Sequence, residues 1–363
     1  MRISDIGEFG LIELLARQLP EPSSAVVKGI GDDAAVIKGS GSNSTIFTTD
    51  MMVEEIHFSR RFCSAYEIGW KALAVNVSDI AAMGGRPTVA VVSVAIPVDW
   101  TVEELEGLYK GLGAAARIYR VSIVGGDTVK SPQGLNINVA LLGEAEPDKV
   151  VYRSGARPGD TVLVTGTLGD SAAGLALSQD PELTGPAGCC EALRERHKMP
   201  LAQALAGYNL AQARLVNSMN DISDGLASEI HEICKASGVG CRLQAESIPV
   251  SEETKILAGI LGTDPLEWAL FGGEDFQLVF TLAPERVAEA QQLLSSLGVA
   301  SAAIGEIVPG SEVVLVKANR DKAGLEKTDQ DKGVRDEAVR ENANYREIIL
   351  QPRGYNHFAP EKD

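Results

Sequence analysis

Aspartates recur in this chain beside glycine or other small residues at expected chain reversals, an arrangement suited to divalent cations and phosphate. They are Asp32 and Asp33 in Gly-Ile-Gly-Asp-Asp-Ala-Ala, Asp50 in Thr-Thr-Asp, Asp79 in Asn-Val-Ser-Asp, Asp127 in Gly-Gly-Asp-Thr, and Asp221 and Asp224 in Asp-Ile-Ser-Asp-Gly-Leu. Magnesium takes oxygen ligands in a near-octahedral array and keeps several waters, so one or two carboxylates per ion plus substrate phosphates is the expected set. Separate aspartates could therefore seat several ions. An aspartate beside glycine is also a good turn or helix-cap residue, because its short side chain accepts backbone N–H bonds. Asp79, inside an apolar helical pattern, and Asp50, ending an apolar strand, fit that second role less well. A buried carboxylate needs a cationic partner, and metal is favoured at both.

Glycine pairs at Gly125-Gly126 and Gly272-Gly273, and the run Thr165-Gly166-Thr167-Leu168-Gly169-Asp170, could cradle phosphate with backbone amides. The chain has neither a G-x-x-x-x-G-K-[S/T] loop nor a dinucleotide G-x-G-x-x-G fingerprint after a strand, so a nucleotide site here must be of another kind. Arg153 could clamp a phosphate through its guanidinium fork or be a solvated linker residue. His57 could donate to a phosphate or serve structurally. Glu274 and Asp275 stand in a loop position that commonly faces ligand, or stabilise a turn. Tyr355, His357 and Phe358 could stack on a flat heterocycle or dock the tail. No Ser-His-Asp order or G-x-S-x-G elbow stands out.

These residues need a frame of alternating elements. The periodicity predicts helices over 5–18, 66–83, 102–119, 171–178, 201–217 and 225–237. Strands are expected over 34–37, 45–51, 89–96, 121–124, 135–143, 161–165, 240–243, 278–282 and 313–316. Helix 66–83 should stop at Gly84-Gly85, with Pro87 preventing continuation. The apolar pattern lapses near 144–158, which divides the chain into domains 1–147 and 148–363. The charged stretch 317–346 reads as an exposed insertion or a mobile segment.

With 363 residues, 45% of them hydrophobic, the chain can bury two cores. A net charge of −17 opposes binding to nucleic acid, which needs cationic side chains along the phosphates. No apolar run is long enough for a membrane span, and the first residues lack the pattern of a signal peptide, so a soluble, cytoplasmic protein is expected. Five cysteines without a C-x-x-C pair argue for reduced thiols rather than a disulfide or zinc framework.

Taken together, the segments resemble the thiamine-monophosphate kinase family of the aminoimidazole ribonucleotide synthetase-like superfamily. The likeness rests on Gly7-Glu8-Phe9-Gly10, Gly31-Asp32-Asp33-Ala34, Thr48-Thr49-Asp50, His57-Phe58, the block from Lys71 to Gly84, and Gly125-Gly126-Asp127-Thr128. It continues through Arg153-Ser154-Gly155-Ala156, Val164-Thr165-Gly166-Thr167, Asp221-Ile222-Ser223-Asp224-Gly225-Leu226, Gly272-Gly273-Glu274-Asp275 and Gly354-Tyr355-Asn356-His357-Phe358. The resemblance implies a two-domain α/β (α+β) fold and a homodimer whose first domains join their sheets into a barrel. It also implies several Mg2+ ions on Asp33, Thr48, Thr49, Asp50, Asp79, Asp127, Asp221 and Asp224. ATP contacts would come from Tyr109, Gly126, Asp127, Arg153 and Ser223, and thiamine monophosphate contacts from His57, Glu274 and Tyr355.

The expected reaction is direct in-line transfer of the ATP γ-phosphoryl group to the acceptor phosphate, with no residue acting as covalent catalyst. Two rivals are an ATP-dependent synthetase of the same superfamily, releasing free phosphate, and a non-catalytic acidic metal-binding protein. The chain departs from the family pattern at Phe276, where tyrosine is usual, and in the extra sequence of 317–346.

Overall fold

The structure, a computed structural model, describes residues 3, 6–39, 41–318, 339–341, 344–355 and 357. The chain begins with α1 (Gly7–Ala16), β1 (Val26–Lys28), β2 (Ala35–Lys38), β3 (Ser44–Val53), α2 (Ala65–Ala82), β4 (Arg86–Ile96), α3 (Val102–Tyr119), β5 (Ser122–Lys130) and β6 (Asn136–Ala145). The six strands form one sheet in the order β1-β2-β3-β6-β4-β5, antiparallel except for the β4/β5 pair. Successive side chains of a strand point to opposite faces. Thr48 and Met52 of β3 and Val139 of β6 accordingly turn toward α2, while Phe47, Met51, Val91 and Val129 are exposed.

Both long helices start at capping boxes: Ser64 with Glu67 for α2, Thr101 with Glu104 for α3. Each box satisfies two N–H groups that the first helical turn leaves unpaired. Buried residues run almost the whole length of α2, because it lies between the first sheet on one side and α6 (Ala204–Gln212) and β8 (Ser218–Asp221) on the other. The helix stops at Gly84 (φ +67°), where an added Cβ would also lie 2.4 Å from that of Ala211.

A second, eight-stranded sheet carries the rest. Before α6 come β7 (Thr161–Thr165), α4 (Asp170–Gln179) and α5 (Ala187–Lys198); after β8 come α7 (Leu226–Ser237), β9 (Gly240–Gln244), α8 (Glu252–Leu261) and α9 (Pro265–Phe271). The remaining elements are β10 (Leu278–Leu282), α10 (Val287–Ser296), β11 (Ser301–Val308), β12 (Val313–Ala318), β13 (Val339–Glu341) and β14 (Tyr345–Ile349). The strand order is β13-β14-β12-β9-β11-β7-β10-β8. An apolar cluster containing Ala81, Ala82, Leu210, Met219 and Phe280 joins the end of α2 to this second sheet. Among the described residues no helix is long and apolar enough to cross a membrane.

Two expectations about the elements are corrected. β5 does not end before the glycine pair but runs through Gly125, Gly126 and Asp127 to Lys130, so these residues are mid-strand and not at a chain reversal. Glycine is required at 126 because an added Cβ would stand 1.7 Å from the carbonyl oxygen of Val92 on β4. The stretch 317–346 contributes β13 and the start of β14 to the sheet; its residues 319–338, 342 and 343 lie outside the described residues. Helices α5, α8, α9 and α10 and strands β1, β8 and β11 add to the predicted set.

The α2/α3 crossing depends on two glycines. A Cβ at Gly69 would lie 1.9 Å from the Leu108 carbonyl oxygen, and one at Gly111 1.9 Å from that of Tyr66. Gly69→Ala and Gly111→Ala should each lower the stability by about 1–3 kcal/mol through overpacking. Urea unfolding would read this as a lower midpoint at unchanged slope; an unchanged midpoint would mean that the helices can part without loss.

Candidate metal and substrate site

Carboxylates from both halves of the chain converge beside α2. Asp33 comes from the turn before β2, Asp79 from the C-terminal half of α2, and Asp221 from the end of β8. One carboxylate oxygen from each lies within 4.8 Å of the others. Thr48 Oγ1 donates to Asp79 Oδ2 at 2.5 Å and Ser78 Oγ to Asp221 Oδ2 at 2.6 Å, which fixes both side chains. The Asp50 carboxyl adjoins Asp79, and the Asp50 backbone N–H donates to Asn76 Oδ1 at 3.0 Å.

Electrostatics single this cluster out as a candidate cation site. Burial pushes Asp33 up to about 7, against the pull of Arg153, and Asp221 up to about 6, while burial and then the charges of Asp50 and Asp221 drive Asp79 well above the carboxylate range. Arg153 partly answers this charge: its Nη2 lies 2.6 Å from Asp33 Oδ1, and its Nε is 3.2 Å from the same oxygen. The other oxygen, Asp33 Oδ2, is buried without a hydrogen-bond partner. An orphaned carboxylate oxygen beside two further buried carboxylates fits an oxygen-seeking divalent ion.

The loop carrying Asp224 is held from below by Glu229 of α7, a buried carboxylate that accepts from Asn220 Nδ2 at 2.6 Å and Asp224 N at 3.1 Å. Burial lifts the Asp224 carboxyl to about 7. The tail returns to this loop: Tyr355 N donates to Asp224 O at 3.2 Å, and a Cβ at Gly354 would lie 2.6 Å from that same oxygen. From Tyr355 a row of rings leads inward. The Tyr355 and His357 centroids are 4.9 Å apart, as are those of His357 and His57.

His57 Nδ1 accepts the Val53 N–H at 3.0 Å, and burial lowers its pKa, so the neutral ring carries its hydrogen on Nε2. Glu274 lies close by, its carboxylate 2.7 Å from the buried Lys71 Nζ and 3.4 Å from His197 Nδ1. Burial opposes the charge of Glu274, but the Lys71 ammonium outweighs it and holds the carboxyl below its ordinary pKa. Asp275 faces the other way and accepts from Gly169 N at 2.6 Å and Ser171 N at 3.1 Å, tying the loop to the start of α4.

Of the residues expected at the site, Asp33, Thr48, Asp50, Asp79, Asp221 and Arg153 come together, and His57, Glu274, Tyr355, Asp224 and Ser223 form the adjoining wall. Ser223 belongs to that wall through its carbonyl oxygen, which accepts Glu274 N at 2.6 Å. Thr49 points to the opposite face of the sheet, where its Oγ1 meets Asn138 at 3.3 Å. Asp127 pairs with Ser93 on that exposed face. Gly126 shares the row of Asp50 through Val139 and Val92, three strands away, roughly 14 Å at the usual strand spacing. Tyr109 is exposed on α3, which crosses the N-terminal half of α2, whereas Asp79 is in the C-terminal half. Asn356 and Phe358 lie outside the described residues. Sequence reasoning assigned no role to Lys71, Asn76, Ser78, His197, Asn220 or Glu229; Lys71 and Glu229 are charged groups inside apolar helical patterns, the signal that singled out Asp79.

Residues 31–145 match the family described as AIR synthase related protein, N-terminal domain, and residues 157–317 the corresponding C-terminal domain. The chain is 37% identical over 354 residues to the thiamine-monophosphate kinase of Bacillus subtilis, spanning 97% of this chain and 99% of that one. It is 41% identical over 287 residues to that of Aquifex aeolicus, spanning 79% and 89%. A solved structure described as AaThiL complexed with AMPPCP and TMP superposes with a TM-score of 0.77 at 36% identity, covering 90% of this chain and 97% of that one.

The raised carboxyl groups tie metal binding to pH. A carboxyl whose pKa is raised on folding stabilises the fold while protonated, so this contribution is lost as pH climbs through about 6 to 7. A divalent cation displaces those protons and restores the stability. The rise in thermal midpoint on adding Mg2+ should therefore be small at about pH 5 and large at about pH 8, and smaller at both in Asp79→Asn. Equal shifts at the two pH values would exclude the cluster as the binding site.

Proposed function

We propose, for a chain that belongs to the AIR synthase related family and within it to the thiamine-monophosphate kinases, that it transfers the γ-phosphoryl group of ATP to thiamine monophosphate, giving thiamine diphosphate and ADP. The observation that carries this reading is the meeting of a buried carboxylate cluster with the ring-lined wall of His57, His357, Tyr355 and Glu274. It is supported by likeness along the whole chain to thiamine-monophosphate kinases, and by the AMPPCP and TMP bound in a relative of the same fold.

Both reactants are anions, and an acceptor phosphate oxygen is already a nucleophile near neutral pH, so the chief obstacle is repulsion and misalignment rather than proton removal. Several Mg2+ ions on Asp33, Asp50, Asp79 and Asp221, with Asp224 toward the phosphates, would supply the charge neutralisation. The chain's own part is orientation. Thr48, Ser78 and Asn76 hold the carboxylates and the Asp50 backbone in place by hydrogen bonds. Arg153, which rests on Asp33 at 2.6 Å, would be available to fork onto a phosphate were a cation to share that carboxylate. His57 offers Nε2–H to the acceptor phosphate, the Tyr355 ring lies along the heterocycles, and Glu274 faces the cationic thiazolium. Transfer is direct, without a phosphorylated enzyme.

The exposed apolar side of the first sheet, with Phe47, Met51, Val91 and Val129, supports a homodimer in which this face is covered by its copy. That arrangement would bring Thr49 and Asp127, which share the face, into an enclosed space. Residues 1–147 then form the dimerising, nucleotide-binding domain and 148–363 the second domain.

Phosphorus NMR of purified protein with ATP, Mg2+ and thiamine monophosphate tests the reaction: thiamine diphosphate and ADP should appear, and Asp50→Asn should slow them about 100-fold or more. Free phosphate without a diphosphate ester would instead indicate a synthetase of the superfamily. Sedimentation velocity tests the assembly. Val129→Asp should convert a dimer to monomer, and a monomeric wild type would overturn it.

A further inference from the structure

Lys71 is buried on the second turn of α2, with 2% of its surface exposed. Burial strips an ammonium of its hydration, so every one of its contacts must replace water. Its Nζ donates to Glu274 Oε2 at 2.7 Å and to the His57 backbone oxygen at 3.3 Å. Those two partners are the residues to which the proposed reaction assigns the acceptor. Asp79 stands eight residues further along the same helix, about 12 Å at the α-helical rise. One rigid element thus carries both the carboxylate of the metal cluster and the cation that gathers the acceptor-binding residues.

Glu274 needs such a tether. Its backbone is in the left-handed region (φ +68°), and so is that of Phe276 (φ +47°), conformations that side-chain-bearing residues hold only when their surroundings over-determine them. Two further anchors act on the backbone around it. Glu274 N donates to Ser223 O, and the Asp275 carboxylate is clamped by the amides of Gly169 and Ser171. Neither sets the direction of the Glu274 side chain. Lys71 does, with His197 Nδ1 on the same oxygen at 3.4 Å. His197 is pushed down to about 3, first by burial and then by Lys71, so it is neutral and cannot replace the lysine's charge.

We infer that Lys71 is a positioning residue for the acceptor: by gripping Glu274 and the His57 backbone from α2, it sets their distance and orientation relative to the carboxylate cluster. The inference rests on the reading that His57 and Glu274 receive thiamine monophosphate. Lys71 touches neither substrate, and acts through the two residues it holds.

Steady-state kinetics of Lys71→Met, Glu274→Gln and the double variant test this, with both substrates varied. Lys71→Met should lower kcat/KM for thiamine monophosphate about 100-fold, as expected for a misplaced reactant, with the KM for ATP and the Mg2+-induced thermal shift within about twofold of wild type. In the Glu274→Gln background the same change should add little, since the two act as one unit. A merely structural lysine would lower active enzyme without moving the acceptor and ATP constants apart. Constants that move together, or independent and multiplicative losses, would overturn the inference. Should Lys71→Met fail to fold, the double variant, which leaves no unpaired buried charge, is compared with Glu274→Gln alone. Matching constants support the inference, and a further tenfold loss or more overturns it. If wild type forms no thiamine diphosphate, the reaction itself falls and the inference with it; if wild type is active and Lys71→Met matches it, only the inference falls.

Discussion

Like charges that share a buried space repel one another and lose their hydration, and this fold assembles Asp33, Asp50, Asp79 and Asp221 under that penalty. The surrounding architecture is arranged to bear it. The cluster forms where α2, buried between the two sheets, brings its polar residues against the turn before β2 and the end of β8. Apolar packing along the rest of α2 holds the carboxylates together, since they would not stay together by themselves. The apolar seam of Ala81, Ala82, Leu210 and Phe280 locks the two halves at the helix end nearest Asp79.

The compensation is graded by distance from the reacting groups. At the cluster, Arg153 shares Asp33 while its other oxygen is left without a donor. One layer out, Glu229 meets the Asp224 backbone and the Asn220 side chain, and Asp275 meets two amides at the head of α4; neither needs a metal to be satisfied. The outer carboxylates shape loops, whereas at the cluster the Asp33 Oδ2 oxygen is left without a donor. A buried polar network that is complete stiffens a fold, whereas one that is incomplete marks where a ligand belongs.

Much of this was legible from residue type against pattern. Asp79 in an apolar helix and Asp50 in an apolar strand are anomalies of burial, and both proved to be in the cluster. Lys71 is the same kind of anomaly in the same helix, yet its meaning could not be read locally, because Glu274 is 203 residues away. The glycine pair at 125 and 126 looked like a chain reversal, since glycine is usual in turns. Its actual cause, the carbonyl of Val92 on a neighbouring strand, belongs to the sheet and not to the local sequence. Tyr355 likewise takes its place from tertiary contact, through Gly354 against the Asp224 carbonyl, and charged sequence before it did not prevent β13 and β14 from pairing.

Strain is also distributed with a purpose. Glu274 and Phe276 hold left-handed backbones on either side of Asp275, within a loop anchored from α2, α5, the loop after β8 and the head of α4. A relaxed loop could hold an acidic side chain nearby, but it would sample many directions. Each fixed contact removes some of that freedom before a substrate arrives, so less ordering remains to be done on binding. Under the proposed reaction, a carboxylate that meets a cationic ring at a set distance from a phosphate gains from such fixation. The folding free energy that sustains it comes from the apolar helix on which Lys71 and Asp79 are both mounted.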